Sequence, residues 1–152
     1  VNILNDACSE LRNISHQMMP RALAESGIVA ALSELLNNVF AKSHINHSFE
    51  TFNLPEETDR KISLGLYRIS QELINNILKH SGADKVFFQL FKSNEHLVLL
   101  VEDNGKGLSD TFHGKGMGLR NIDSRTAAMN GNFEIENSPG GGTIARIRIP
   151  LK

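Results

Sequence analysis

The sequence predicts an α/β domain, and three observations carry that expectation. Five short runs read as strands: Ile45 to Phe52, Val86 to Phe91, His96 to Val101, Phe133 to Glu136 and Thr143 to Ile149. Between them, apolar residues return every three or four positions, the period of a helix with one buried face. Two glycine clusters straddle a short polar stretch, Asp103-Asn104-Gly105-Lys106-Gly107 and Gly114-Lys115-Gly116-Met117-Gly118-Leu119. A strand, a glycine turn, a loop, a second glycine turn and a helix can bring bare backbone N–H groups against a phosphorylated ligand.

Taken in order, Leu4, Ala7, Leu11, Ile14 and Met18 form a seam with alternating spacings of three and four. That is the pattern of a helix in a bundle or coiled coil, and an amphipathic helix lying on its own domain fits it too. Polar residues such as Asn5, Glu10, Arg12 and Gln17 on the other faces favour the bundle. Pro20 interrupts the pattern. A second helix is expected from about Gly27 to Ala41, through Ile28, Ala31, Leu32, Leu35, Leu36 and Val39. A domain boundary is expected near residue 42, dividing 1–41 from 42–152. Pro55 ends the first strand, and Glu56-Glu57-Thr58-Asp59 reads as an acidic helix entry that suits the helix dipole. The helix runs on with Ile62, Leu66, Ile69, Leu73 and Ile77 on one face and stops at Ser81-Gly82. Ser93-Asn94 turns the chain between two adjacent strands. A helix from about Met117 to Met129 ends at Asn130-Gly131, and a hairpin turns at Ser138-Pro139-Gly140-Gly141-Gly142.

Composition narrows the function classes. The 152 residues are 40% hydrophobic without tryptophan, enough for one core plus an appendage. A net charge of −1 gives no reason to expect a nucleic-acid or anionic-membrane surface. The lone Cys8 excludes an internal disulfide framework and fits a reducing compartment. No apolar run approaches the roughly 20 residues that span a bilayer. His44 and His47 stand three apart with no third ligand nearby, so they make no zinc motif. Beginning at Val1 inside a helical pattern, the chain reads as a piece of a longer protein.

Glu72, Asn76 and Lys79 are spaced four and three apart, so on a regular α-helix they share one face beside the apolar stripe. That row offers a carboxylate, an amide oxygen and a cation. A Mg²⁺-bound triphosphate needs those groups: a base or water-orienting group, an oxygen ligand for a hard cation, and a charge for phosphate. A solvated helix face with helix-favouring Glu and Lys fits the same spacing.

Four blocks in order, Gln71 to His80, Asp103 to Gly107, Gly114 to Leu119 and Gly140-Gly141-Gly142-Thr143, resemble the N box and three glycine boxes of the GHKL ATPases, whose nucleotide fold is the Bergerat fold. Within that superfamily the chain is similar to sensor histidine kinases whose N box reads Gln-Glu-x-x-x-Asn-x-x-Lys-His after a Tyr-Arg-Ile run. Tyr67-Arg68-Ile69-Ser70-Gln71-Glu72 and Asn76-Ile77-Leu78-Lys79-His80 match it position by position. The resemblance implies a two-layer α/β sandwich: a mixed, mainly antiparallel sheet with helices on one face, preceded by part of a dimerisation helix. It implies ATP and Mg²⁺ as cofactors. Asn76 would hold Mg²⁺, Lys79 and His80 would lie by the phosphates, and Glu72 would activate the attacking group. Asp103 would accept a hydrogen bond from the adenine amino group, with Gly105 and Gly107 passing close under the base. Gly114, Gly116 and Gly118 would form the phosphate cradle at the helix start, after a short lid at 108–113, and Met117 and Leu119 would also bind ATP. Lys115 is a candidate phosphate contact, and Thr143 would lie near the nucleotide.

The same resemblance implies transfer of the ATP γ-phosphoryl to a histidine on a dimerisation helix. A response regulator, usually with a helix-turn-helix domain, would then accept it on an aspartate. It implies a homodimer in the full-length protein and a cytoplasmic location, free or as the cytoplasmic part of a membrane-anchored sensor. His16 stands in Ser15-His16-Gln17-Met18-Met19-Pro20, which superficially resembles an acceptor motif. Gln17 cannot take a proton where an acidic residue normally follows, so the acceptor is expected outside this stretch. Two alternatives stay open: an anti-sigma-factor-type serine kinase, and a nucleotide-binding module that only transmits conformation.

Overall fold

The computed structural model describes residues 19–109 and 116–152, so the apolar seam before Met19, His16, Gly114 and Lys115 lie outside the described residues. Helix α1 (Arg21–Phe40) starts after Pro20, whose carbonyl accepts from Ala24 N at 3.0 Å. Gly27 interrupts it at φ 85° and ψ −178°, so the element is two helical pieces meeting at a kink. The apolar period read from Gly27 onward belongs to the second piece. The first piece escapes that reading because it sends only Leu23 into the core. Ile28, Ala31, Leu32, Leu36 and Phe40 bury the second piece's inner face.

Strand β1 (Asn46–Phe52) follows. His47 is a structural residue: its Nε2 lies 3.0 Å from Asn37 Oδ1 and its ring packs 5.3 Å from that of Phe40. Helix α2 (Arg60–Asn76) is capped by Asp59, whose Oδ1 accepts from Lys61 N at 2.7 Å. Its first turn carries no acid, so of the expected acidic entry only Asp59 acts, as a cap. Leu66, Ile69 and Leu73 line its buried face. The α-helix then gives way to a π turn at Ile77–Ser81, ended by left-handed Gly82 at φ 64°.

Strands β2 (Lys85–Ser93), β3 (His96–Asp103), β4 (Asn132–Asn137) and β5 (Thr143–Pro150) complete one five-stranded sheet, with helix α3 (Met117–Ala128) between β3 and β4. The strand order is β1-β2-β3-β5-β4, parallel at β1–β2 and antiparallel elsewhere. The sheet is mixed and mainly antiparallel. Register places Val86, Phe88 and Leu90 beside Asp103, Val101 and Leu99, and these beside Thr143, Ala145 and Ile147. Because strand side chains alternate, all of them share one face. The apolar ones form a single core with the buried residues of α1, α2 and α3. The helices therefore cover that face, and the core runs without a break from Leu23 in α1 to Ile149 in β5. Residues 21–40 pack in the same core as the sheet, on both sides of residue 42.

Candidate nucleotide site

Sheet topology puts two loops side by side. Asp103 ends β3 and Thr143 begins β5, and the two are register partners. The loop leaving Asp103 and the hairpin turn entering Thr143 therefore emerge together. Gly142, at φ 92°, lies against the Asp103 carbonyl so closely that a methyl group would overlap it. Asn104 ties the loop's base to the start of β2. Its Oδ1 accepts from Asp84 N and Lys85 N at 3.0 and 2.9 Å, and its Nδ2 donates to Asp84 Oδ1 at 2.6 Å. Farther along, Leu108 N donates to Asn137 Oδ1 at 2.7 Å.

The far wall is α2 and its π turn. Lys106 N donates to the Ser81 carbonyl at 2.9 Å, and Gly105 sits on that carbonyl with no space for a side chain. Helix α3 supplies the third wall, starting at Gly116. Where α3 meets α2 the contact is close. A methyl at Gly118 would stand 3.1 Å from Glu72 Oε2 and 3.3 Å from Asn76 Oδ1.

These walls enclose a cleft of about 570 Å³. Asn76, His80, Asp103, Gly107, Gly116, Met117, Gly118, Leu119 and Thr143 all line it, so most of the residues singled out in the sequence converge on one cavity. Glu72 reaches the α2–α3 contact beside Gly118 and also lines a neighbouring groove with Arg68, Asn75 and Arg125. Gly105 supports the loop from behind. Lys79 does not line the cleft and stays exposed, contrary to its expected place on the row with Glu72 and Asn76. The cause is the π turn. A π helix takes more residues per turn than an α-helix, so each residue rotates the chain by less than the α value of about 100°. That lag turns Lys79 further from Asn76, while His80, four residues on, stays beside Asn76 as it would on an α-helix.

Sequence reasoning did not single out the apolar floor, Leu73, Ile77, Val101, Ile135 and Ala145, or Lys106 at the loop. Strand alternation was the available signal, since Val101 and Ala145 are register partners two residues from Asp103 and Thr143. The floor is apolar, which suits an aromatic base, and polar groups line the cleft around it. One of them is Asp103, 7% exposed, whose Oδ1 accepts from Gly105 N at 2.9 Å. Burial pushes its carboxyl above the usual carboxylate range; the amides of Gly105 and Thr143 oppose that rise, and the charge of Glu102 adds to it. Asn76, His80 and the first turn of α3 line the same cleft.

The donor set fits a magnesium nucleotide. Among the described residues no group of three His, Cys, Asp or Glu side chains could form a protein cage for a metal. Mg²⁺ is commonly held by one or two protein oxygens plus substrate phosphates, and Asn76 Oδ1 and Glu72 Oε2 converge at Gly118 where such phosphates would arrive.

Residues 61–152 match the family described as histidine kinase-, DNA gyrase B-, and HSP90-like ATPase. The chain is similar to the sensor histidine kinase MctS of Rhizobium johnstonii, 33% identical over 95% of this chain and 32% of that protein. It is also similar to the sensor histidine kinase ComP of Bacillus subtilis, 34% identical over 97% of this chain and 20% of that protein. Only a third of the first relative's length and a fifth of the second's are thus matched. Among solved structures, the Acinetobacter baumannii histidine kinase AdeS superposes with a TM-score of 0.67 at 20% identity, over 99% of this chain and 80% of that one. The catalytic domain of the histidine kinase ThkA superposes with a TM-score of 0.64 at 20% identity, over 84% of this chain and 92% of that one. These likenesses establish a shared fold.

Proposed function

The chain belongs to the histidine kinase-, DNA gyrase B- and HSP90-like ATPase family, and from that premise we propose that it is the catalytic, ATP-binding part of a two-component sensor histidine kinase. The observation that carries the reading is the meeting of Glu72 and Asn76 at Gly118, on a cleft that Asn76, Gly118 and Asp103 all line. A purine on the apolar floor, with its amino group donating to Asp103, would direct its phosphates toward Asn76, His80 and the start of α3. Gly116 and Gly118 leave that helix start open for phosphate, where the unpaired N–H groups and the dipole favour an anion. Bound Mg²⁺ would neutralise phosphate charge, with Asn76 as its protein ligand.

The proposed reaction is transfer of the γ-phosphoryl to a histidine on a dimerisation helix. The attacking ring nitrogen forms the P–N bond as the bond to the departing ADP oxygen breaks. Glu72 takes the proton from the other ring nitrogen, so the product ring carries no extra charge. The acceptor helix is proposed to lie outside these residues, with His16 not the acceptor because Gln17 offers no base. A response regulator of helix-turn-helix type, a homodimeric full-length protein and a cytoplasmic location complete the proposal. Among the described residues no helix is long and apolar enough to cross a membrane.

Glu72→Gln tests the reading. It should leave ADP binding nearly intact and suppress phosphoryl transfer to a supplied acceptor helix, a loss in turnover without a loss in affinity. Transfer at the wild-type rate with unchanged binding would remove Glu72 from its role. Failure of the unaltered chain to bind ATP would remove the whole assignment.

A further inference from the structure

Ser81 sits where two walls of the cleft are joined, and it is 9% exposed. Its hydroxyl donates to the Ile77 carbonyl at 2.7 Å and accepts from Ala83 N at 3.0 Å. Its own carbonyl accepts from Lys106 N and is the surface on which Gly105 rests. Gly105 N in turn donates to Asp103 Oδ1. The side chain thus closes the π turn while the backbone carries the loop that holds Asp103.

A serine hydroxyl bonded to the carbonyl four residues back perturbs a helix, because it competes with the ladder amide for that oxygen. Here the perturbed turn is Ile77–Ser81, the stretch that carries His80 on the cleft wall and Lys79 off it. We infer that Ser81 is a positioning residue for nucleotide binding: its hydroxyl holds the π turn that places His80 at the polyphosphate end, while its carbonyl independently holds the loop at the purine end. The inference rests on the reading of the cleft as an ATP site and adds a residue outside the sets assigned above.

The two halves of Ser81 can be separated, because Ser81→Ala removes the hydroxyl and keeps the carbonyl. Affinities of the 152-residue chain for Mg·ATP and for adenosine, measured by calorimetry, read the two ends of the cleft. Ser81→Ala should weaken Mg·ATP about threefold to tenfold and leave adenosine within about twofold. Ser81→Cys fills the same space with a weak donor and should behave like the alanine variant, deciding the matter if that variant folds poorly. Amide spectra of the nucleotide-free protein should show His80 shifted in both variants and Lys106 nearly unmoved. Equal weakening of both ligands, or an unmoved His80 amide, would overturn the role. A chain that binds neither ligand while the His80 amide still shifts would keep Ser81's hold on the turn and refute the ATP reading instead.

Discussion

At Asp103 the protein holds a carboxylate where burial disfavours its charge. The sign of the consequence follows from that direction. With its pKa raised in the folded state, Asp103 contributes stability below the ordinary carboxylate pKa, and this is lost as pH rises through the folded value. Ligand binding runs the other way, since the charged form is the better acceptor for an adenine amino group. Adenine-nucleotide affinity should therefore fall as pH drops through the raised pKa, beginning above the usual range for Asp. Asp103→Asn should weaken binding by about 1–3 kcal/mol at neutral pH without lowering the thermal stability of the empty protein. Titration calorimetry across pH checks both, and the asparagine variant separates Asp103 from adenine's own protonation. Equal ATP and GTP affinities would remove the adenine assignment. Asp103, Asn76 and Glu72 were legible in the sequence because their chemistry lies in residue type and order. The outward turn of Lys79 was not, since arithmetic at about 100° per residue presumes an unbroken α-helix.

Elements are joined here by backbone contacts that admit no side chain. Gly105 against the Ser81 carbonyl links β3's loop to the end of α2, and the Gly140 turn offers a control. A methyl at Gly140 meets nothing within 4 Å, so Gly140→Ala should be near neutral. Gly105→Ala has to push two backbones apart and should cost about 1–3 kcal/mol of stability, together with nucleotide affinity. Urea unfolding and calorimetry of the pair check this, and equal behaviour of the two would deny the joint. All five strands were legible within a few residues because apolar alternation and turn residues bound them. The start of α1 was not, because the piece before Gly27 offers Leu23 and too little apolar period to be seen.

For the molecule as a whole, the question is whether residues 21–40 form a separate unit. Leu32 and Leu36 are fully buried in the cluster that contains Phe88 and Ile147. Leu36→Ala should therefore cost about 2–5 kcal/mol and shift one cooperative unfolding transition. Fluorescence-free probes suit a chain without tryptophan: far-ultraviolet dichroism and calorimetry should give the same midpoint. Two separate transitions would instead mark a boundary near residue 42. The apolar stripe from Ile28 to Val39 was plain in the sequence, but a stripe does not say which surface it will cover. Only the register of β2, β3 and β5, set by long-range pairing, decides that.

The pairing of Asp103 with Thr143 also works as a neck. The segment between Asp103 and Thr143 carries α3 and the edge strand β4, and its two ends are already held together by the ladder. Closing a loop costs entropy that grows only with the logarithm of its length, about 0.6 kcal/mol per doubling. The connections within that segment can therefore lengthen or shorten through insertion and deletion while the paired strands stay as they are. What cannot vary is the neck itself, where Gly142 leaves no room beside the Asp103 carbonyl.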